Sequence, residues 1–557
     1  MSDNKILGNL LFPQVKKFPE DFEEKYPLRE LKKDACVTRF APSPTGFIHI
    51  GGLFAALVSE RVAHLSDGIF FLRIEDTDKK REVEGGIEEI IKAFSQFEIF
   101  FDEGMISMDE AKGNYGPYKQ SERKEIYQTF AKLLVERGLA YPCFCSEEEL
   151  AAIRAKQEEH KLRPGYYGKW AKHRNISIEE VRENLAQGKS FVLRIKSLGV
   201  SDVRIIHKDL IRGEVEMPEN DQDTVILKSD GIPTYHFAHA IDDHFMRTTH
   251  VIRGDEWLPS IPLHLQLFEA LDWETPAYAH ISPIMKMEEN SKRKLSKRKD
   301  PEAAVGFYYE QGFPNAAVIE YLLNLANSEF EDWRKANPSI TWNQFPMKLE
   351  NMSTSGSLFD IVKLTDISKG IIALMTAEEV FEKTSQWSKE YDQELYSLLS
   401  SNNEYGIKLL NIERSAEKPR KDFGKWSDVK DNIFYFFDIL FERDIKENCI
   451  NFAENINQEE IIRILKAYIV VYNENDTKDE WLGRVRLLCE ELGYAGNVKT
   501  FKKTPEDYKG HIGDVTGVIR IALTNRKNTP DMYEIMQVMG RKMTINRITE
   551  CIRTLVD

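Results

Sequence analysis

Two stretches of this chain carry residues whose types and spacing could handle a polyphosphate. The first runs from Arg39 to Gly52. Pro42 and Pro44 stiffen it, while Gly46, Gly51 and Gly52 let a flat base or a phosphate approach the backbone. His49 can donate a hydrogen bond to a phosphoryl oxygen as charge builds there. An isolated H-x-G-G is equally the mark of a tight strand-to-helix connection whose histidine caps the helix. The second stretch, residues 292–299, is basic at every position except Leu295 and Ser296. Such a run is ordinarily a solvated face or a localisation signal. As a mobile loop, its Lys294 and Lys297 could instead close on a triphosphate and neutralise the charge of in-line displacement at the α-phosphorus. Neither stretch decides alone, but their joint occurrence, in this order on an interrupted α/β frame, is rare by chance.

The elements that must position these residues follow from periodicity. Residues 36–40 read as a buried strand, 42–46 as a turn-rich loop and 51–64 as a helix with apolar spacing through Leu53, Ala56, Leu57 and Ala63. Residues 68–74 supply a second strand that ends in Glu75-Asp76-Thr77-Asp78, and 84–97 a second helix, which predicts a parallel sheet. In an open sheet of this kind a ligand binds at the carboxyl ends of the strands, where the next helix offers unpaired amides. The segment from 115 to 203 has long helices and short strand-like pieces, an α+β insertion. Strands at 224–227 and 250–253 and a helix at 258–271 then resume the α/β alternation. Beyond 307 nearly every segment is helical in period, including 314–327, 377–387, 433–441, 459–471 and 480–492. Residues 1–34 are polar and proline-punctuated, an arm expected to pack on the surface of something else.

At 557 residues the chain exceeds a single core, and 42% hydrophobic with 30% charged residues is ordinary for a folded, multi-domain protein. No apolar run approaches the roughly 20 residues that span a bilayer, and the first residues lack the pattern of a signal peptide, so a cytoplasmic protein without a membrane partner is expected. Six cysteines do not make a disulfide framework in such a chain. The net charge of −15 argues against a generic nucleic-acid coat, yet phosphate binding depends on the local field and not on the sum. Cys143 and Cys145 have the spacing of a zinc half-site, but with two good donors where structural zinc needs four, a pair of small thiols without zinc is expected.

His49-Ile50-Gly51-Gly52 and Lys294-Leu295-Ser296-Lys297-Arg298 resemble the two signatures of class I aminoacyl-tRNA synthetases. Within that class, the stretches 39–52, 72–78, 116–123, 233–236, 242–244 and 251–257 look like the glutamyl branch. The all-helical ending, through residues 529–545, is similar to the bacterial type. The resemblance implies a Rossmann-like parallel-sheet catalytic domain with an α+β insertion, followed by an all-α half that forms a helical anticodon-binding cage. The implied divisions are an arm at 1–34, catalytic halves at 35–114 and 209–290, an acceptor-binding insertion at 115–208, the basic loop with a stem-contact domain at 291–375, and helical domains at 376–475 and 476–557. The implied reaction is glutamate–tRNA ligation with ATP and Mg²⁺. L-glutamate and tRNA(Glu) are the other partners, and the enzyme is expected to be a monomer.

By the same resemblance, glutamate falls to Arg39, Ala41, Ser43, Glu75, Tyr235, His239 and Arg253, where some relatives carry asparagine at the position of His239. Those types suit a dicarboxylate with an ammonium group, since Arg binds carboxylates bidentately and Glu accepts from an amine. ATP falls to His49, Gly51, Gly52, Glu256, Ile284, Lys294, Leu295, Ser296, Lys297 and Arg298, with His49, Lys294 and Lys297 catalytic. Arg414 is placed near the anticodon. Some relatives complete the Cys143/Cys145 pair with a tyrosine and a third cysteine; Tyr166 suits the first, but Trp170 stands at the second. An enzyme that also charges tRNA(Gln), and a non-catalytic tRNA-binding scaffold, are the competing expectations.

Overall fold

A computed structural model describes residues 3–46, 48–78, 83–296, 298–414 and 419–556. The chain divides into two compact units, Met1–Tyr308 with Ile319–Asp360, and Tyr309–Val318 with Ile361–Asp557.

The first unit opens with helices α1 (Asp3–Leu11) and α2 (Pro19–Lys25). This arm is polar overall, yet Leu11, Phe12, Phe22 and Tyr26 are buried. The Phe22 ring lies 6.2 Å from both Phe130 and Phe245, and Arg29 holds the Glu103 carboxylate through two hydrogen bonds of 2.8 and 2.9 Å. The surface on which the arm packs therefore belongs to its own unit.

Strand β1 (Val37–Phe40), helix α3 (Ile50–Leu65), strand β2 (Ile69–Leu72), helix α4 (Gly86–Gln96) and strand β3 (Glu103–Met105) follow, and β1, β2 and β3 pair in parallel, with β4 (Ala111–Lys112) antiparallel at the edge. Leu53, Ala56, Leu57 and Val58 of α3 are at most 1% exposed, because the helix is packed against strands along most of its surface. Helix α5 (Lys124–Glu136), strand β5 (Ala140–Cys143), helices α6 (Glu147–Glu159) and α7 (Ile178–Ala186), and strand β6 (Val192–Ile195) come next. Reciprocal capping boxes, Ser146 with Glu149 and Ser177 with Glu180, start α6 and α7. The hairpin of β7 (Arg204–Asp209) and β8 (Gly213–Pro218) precedes β9 (Val225–Leu227).

The strand at β9 was expected to resume the parallel frame. It pairs antiparallel with β6 instead, completing the sheet β5-β6-β9. Its apolar run fixes that it is a strand but carries no information about its neighbour. The parallel frame resumes later, with helix α8 (Tyr235–Phe245), strand β10 (His250–Gly254), helix α9 (Ile261–Ala270) and strand β11 (Ala277–Ile281). β10 and β11 are parallel, and β7 joins β11 at Asp209 opposite Tyr278. β1 runs beside β10, since Val37 N–H donates to Thr249 Oγ1 at 2.7 Å and Thr249 N–H to Val37 O at 3.0 Å. The carboxyl ends of β1, β2, β10 and β11 consequently meet at one end of the frame. The antiparallel hairpin β12 (Met285–Glu288) and β13 (Ser291–Lys294) follows, carrying the start of the basic run.

In the second unit, helices run from Ile361–Leu374 to Met532–Val556, and among the described residues it contains no strand. Val380, Leu399, Ile464, Val485, Ile519, Ile535 and Ile548 are buried in one apolar core. The helix expected at 433–441 is broken into Asp428–Ile433, a 3₁₀ turn at Phe434–Phe436 and Asp438–Asn448. Four consecutive aromatics, 434–437, outweigh helical continuity there, three of them turning into the core. The last helix is interrupted at Gly540, whose φ of +70° only glycine adopts readily.

Candidate active site

His49 is the N-cap of α3. Its Nδ1 accepts from Gly51 N–H at 3.0 Å, and its carbonyl accepts from Gly52 N–H at 2.7 Å. A Cβ at Gly51 would stand 3.2 Å from that ring nitrogen, so the position has little room for a side chain. His49 also bridges to Ala304, just past the basic run, and Val305 N–H donates to Ile48 O at 3.1 Å. The backbone thereby ties together two segments some 250 residues apart in sequence. On the basic run itself, Leu295 is buried, Ser296 N–H donates to Asp300 Oδ2 at 2.9 Å, and Arg293 clamps Asp300 with bonds of 2.6 and 2.8 Å. Lys294 is exposed, 3.4 Å from Glu256, and Lys297 lies outside the described residues.

His49, Gly51, Gly52, Glu256, Ile284 and Lys294 line a cavity of about 420 Å³ together with Arg39, Ala41, Ser43, Glu75, Tyr235 and Arg253. Leu295, Ser296 and Arg298 do not line it. Neither does His239, which is wholly buried behind Tyr235, its ring stacked at 17° and 6.0 Å on that phenol, with Nδ1 2.6 Å from Asp243 and Nε2 2.9 Å from Tyr278 Oη. The residue expected to touch a ligand thus backs the wall. Trp257, which residue-by-residue reasoning passed over, lines the cavity with its ring 4.1 Å from that of Tyr235.

Beneath the cavity floor lies a network of buried charge. Arg73 reaches Asp243 at 2.7 Å, Glu75 at 3.3 Å and Asp242 at 3.8 Å; Arg39 reaches Asp243 at 3.4 Å; Arg123 reaches Asp242 at 2.6 Å. Arg73, Arg123, Asp242 and Asp243 have no exposed side-chain surface. Burial alone would raise the Asp243 carboxyl, but Arg73, Arg39 and His239 outweigh it and hold the group well below the usual carboxylate range. Glu75 is different. Burial pushes it up to about 7, against the opposing pull of Arg73 and Arg39. A carboxylate half-ionised at neutral pH, facing a cavity from beside two guanidiniums, is poised to ionise when a cation arrives.

Burial also lowers the surrounding histidines, His236 to about 4 and His239 to about 3, so these rings are neutral at physiological pH. A dicarboxylate and a triphosphate together suit a cavity lined by Arg39, Arg253, Glu75, a helix N-terminus and Lys294.

Residues 35–366 match the family model of class I tRNA synthetases (E and Q), catalytic domain, and residues 418–552 match that of an anticodon binding domain. The chain is 54% identical to the glutamate–tRNA ligase of Clostridium perfringens, over 97% of this chain and 99% of that one. It belongs to the glutamate–tRNA ligase family. Another ligase of the family, from Acetivibrio thermocellus, is 49% identical over 98% of this chain and 99% of its own. A crystal structure of a glutamate tRNA ligase from Elizabethkingia meningosepticum, in complex with its amino acid, superposes with a TM-score of 0.72 at 28% identity, covering 93% of this chain and 99% of that one. Among the described residues of this ligase chain, no helix is long and apolar enough to cross a membrane.

Two further sets of residues lie away from the cavity. Arg414 is folded back on the helical unit, donating to Leu410 O at 3.0 Å, Ile372 O at 2.7 Å and Met375 O at 3.0 Å. These main-chain bonds engage Nε and Nη1 of the guanidinium. Cys143, Cys145 and His173 hold their donor atoms within 4.8 Å of one another, with Cys145 Sγ 3.3 Å from His173 Nδ1. Tyr166 Oη sits 3.4 and 3.5 Å from the two sulfurs. A hydrogen bond from Cys145, with support from His173 and Tyr166, favours the thiolate at Cys143. The expectation of a bare thiol pair rested on two donors. The fold adds His173, and only the spacing Cys-x-Cys with a histidine downstream could have suggested it.

Proposed function

We propose that this chain activates L-glutamate with ATP and transfers it to the 3′ end of tRNA(Glu). The observation that carries the proposal is the single cavity in which the His49 end of α3 and Lys294 face Arg39, Glu75, Tyr235 and Arg253. The glutamate α-carboxylate attacks the α-phosphorus of ATP, giving glutamyl-adenylate and pyrophosphate. The terminal ribose hydroxyl of tRNA then attacks the adenylate carbonyl and AMP leaves. Neither step needs a protein nucleophile, so catalysis is positioning and charge stabilisation.

Arg39 and Arg253 take the carboxylates, Glu75 the ammonium group, and Ala41, Ser43 and Tyr235 fix the orientation. His49, with Gly51 and Gly52, serves the phosphates; Lys294 and Lys297 neutralise charge developing at the α-phosphorus. Ile284 shapes the nucleotide end, while Leu295, Ser296 and Arg298 belong to the loop that carries Lys294 and Lys297. Lys294 pairs with Glu256 at 3.4 Å. Exposed pairs of this kind are worth about 0–1 kcal/mol, so the lysine exchanges this partner for phosphate at little cost, and Glu256 is released toward the ribose. Mg²⁺ bound with the nucleotide would supply further neutralisation of phosphate charge. Cys143, Cys145 and His173, with Tyr166, form a donor set suited to one structural zinc, which would cross-link the insertion.

The test is pyrophosphate exchange into ATP with each amino acid, with and without tRNA. Glutamate alone supports exchange, and Lys294→Ala lowers its rate by roughly tenfold. Exchange driven equally by another amino acid would overturn the assignment. Charging assays with tRNA(Glu) and tRNA(Gln) then define the tRNA range.

A further inference from the structure

Arg253 is 6% exposed, and among the described residues no carboxylate oxygen lies within ion-pair distance of it, unlike Arg39, which shares Asp243 with Arg73. Its partners are neutral. Nε donates to His280 Nε2 at 3.1 Å, Nη2 to His264 Nδ1 at 3.2 Å and to Trp257 O at 3.4 Å, and Nη1 to Tyr235 Oη at 3.2 Å. A guanidinium only donates, so both imidazole nitrogens facing it must be bare.

The protons are placed accordingly. His280 Nδ1 lies 2.6 Å from Asp209 Oδ2, and a carboxylate accepts, so Nδ1 carries the hydrogen and Nε2 the lone pair. Asp209 is itself anchored at the end of β7 by Ile211 and Arg212 N–H, each 2.9 Å from Oδ1. On the other side, His264 accepts at Nδ1 and therefore carries its proton on Nε2, which donates to His236 Nδ1 at 2.9 Å. Burial lowers both His264 and His280 in pKa, which keeps the rings neutral.

We propose that His264 and His280 are positioning residues for Arg253: their neutral rings aim lone pairs that orient the guanidinium while leaving its charge for the substrate carboxylate, and Asp209 sets the His280 tautomer. The proposal rests on the reading of Arg253 as a glutamate-binding residue. A carboxylate in place of either imidazole would hold the arginine equally well but cancel the charge the ligand needs.

Asp209→Asn is the sharpest variant. The amide oxygen keeps the Ile211 and Arg212 donors, while its NH₂ takes the place of Oδ2: the His280 backbone N–H, 3.1 Å away, loses its acceptor, and His280 Nδ1 must turn acceptor, which forces the hydrogen to Nε2, where it opposes the guanidinium. This change removes no volume, no histidine and no arginine. We expect KM for glutamate to rise about 10- to 100-fold, as for a charged group facing a lost or reversed hydrogen bond, with KM for ATP within about twofold. Nitrogen NMR of labelled histidine should show the tautomer switch. His280→Leu and His264→Leu should raise KM for glutamate similarly. His280→Gln and His264→Asn, whose oxygens stand where the accepting nitrogens stood, should recover most of it.

A purely structural role would move both KM values, kcat and the melting midpoint together, with no rescue, and that result overturns the proposal. So does an unchanged KM for glutamate in Asp209→Asn when Arg253→Met raises it. If Arg253→Met itself leaves KM for glutamate unchanged, the reading of Arg253 falls first and this inference with it.

Discussion

Glutamate binding should release a proton, and Glu75 is its source. The carboxyl is raised from an ordinary 4.5 to about 7, a shift worth about 3 kcal/mol of resistance to ionisation. An ammonium group placed against it reverses that preference, so the complex holds Glu75 ionised. Proton release on binding is then largest on the acid side of about 7 and fades as pH rises above it. Affinity accordingly falls by up to about tenfold per pH unit below 7 and levels off above 8. Few other groups confuse the window. His236 and His239 titrate at about 4 and 3, and His264 and His280 are also lowered by burial. The ligand's carboxylates titrate below the range and its amine above it. Titration calorimetry with L-glutamate, in buffers of differing ionisation enthalpy, reads the proton count directly. Glu75→Gln should abolish the buffer dependence, flatten the pH profile and weaken binding by about tenfold or more at pH 8. An unchanged binding heat across buffers at pH 6.5, or a wild-type profile in Glu75→Gln, would refute the reasoning.

Further expectations concern stability and metal. His64 lies 2.9 Å from Asp102 and 2.7 Å from Glu60, and these hydrogen bonds lift it to about 9 against burial. Its pairing therefore stabilises fully below pH 6.5 and is lost as pH rises through about 9; discounted for 31% exposure, His64→Gln should cost about 1–2 kcal/mol at pH 6 and little at pH 10, as read by urea melts. Phe22→Ala in the arm should cost about 3–4 kcal/mol through the cavity left between Phe130 and Phe245, with exchange activity at 25 °C retained; a cost under about 1 kcal/mol would mean that the arm is only loosely seated. The purified chain should contain about one zinc by elemental analysis, lost together with part of the thermal midpoint in Cys145→Ser and in His173→Ala; absence of zinc in the wild type would leave the cluster as hydrogen-bonded thiols.

The groups that line the cavity were legible chiefly through the resemblance to the glutamyl branch, which short local segments carry. A proline- and glycine-rich loop before a helix can be read with no knowledge of the fold, whereas an Arg at the end of a strand gained its role only from the resemblance. What lay hidden depends on partners far away in sequence. Asp242 and Asp243 belong to a stretch that resembles the glutamyl branch, but nothing local says that three arginines from 39, 73 and 123 converge on them. His173 stands seven residues beyond Tyr166 with no apparent relation to Cys145 until the insertion folds. The strand at 225–227 declared its type and not its neighbour. His239 went the other way. Its position in a motif suggested contact with a ligand, but the ring points into the core, a direction that the helical period alone does not settle.

The buried network also explains why the pocket carries more charge than a ligand would need. Replacing a buried ion pair by apolar groups is often neutral or stabilising, so Arg73, Asp242 and Asp243 are poorly explained as stabilising devices. Their geometry fits another purpose. Arg73 touches Asp243 and Glu75 at once, and Asp243 touches Arg39, so the two groups assigned to opposite charges of the amino acid are held by one shared pair. Arg39 is partly neutralised by that sharing, whereas Arg253 is held by rings without charge. The pocket therefore has one arginine whose field is damped and one whose field is not, and a substrate carboxylate should be drawn more strongly to the second. Removing Asp243 would unbalance Arg39, Arg73 and Glu75 together, so Asp243→Asn should impair glutamate binding more than the loss of any one hydrogen bond could.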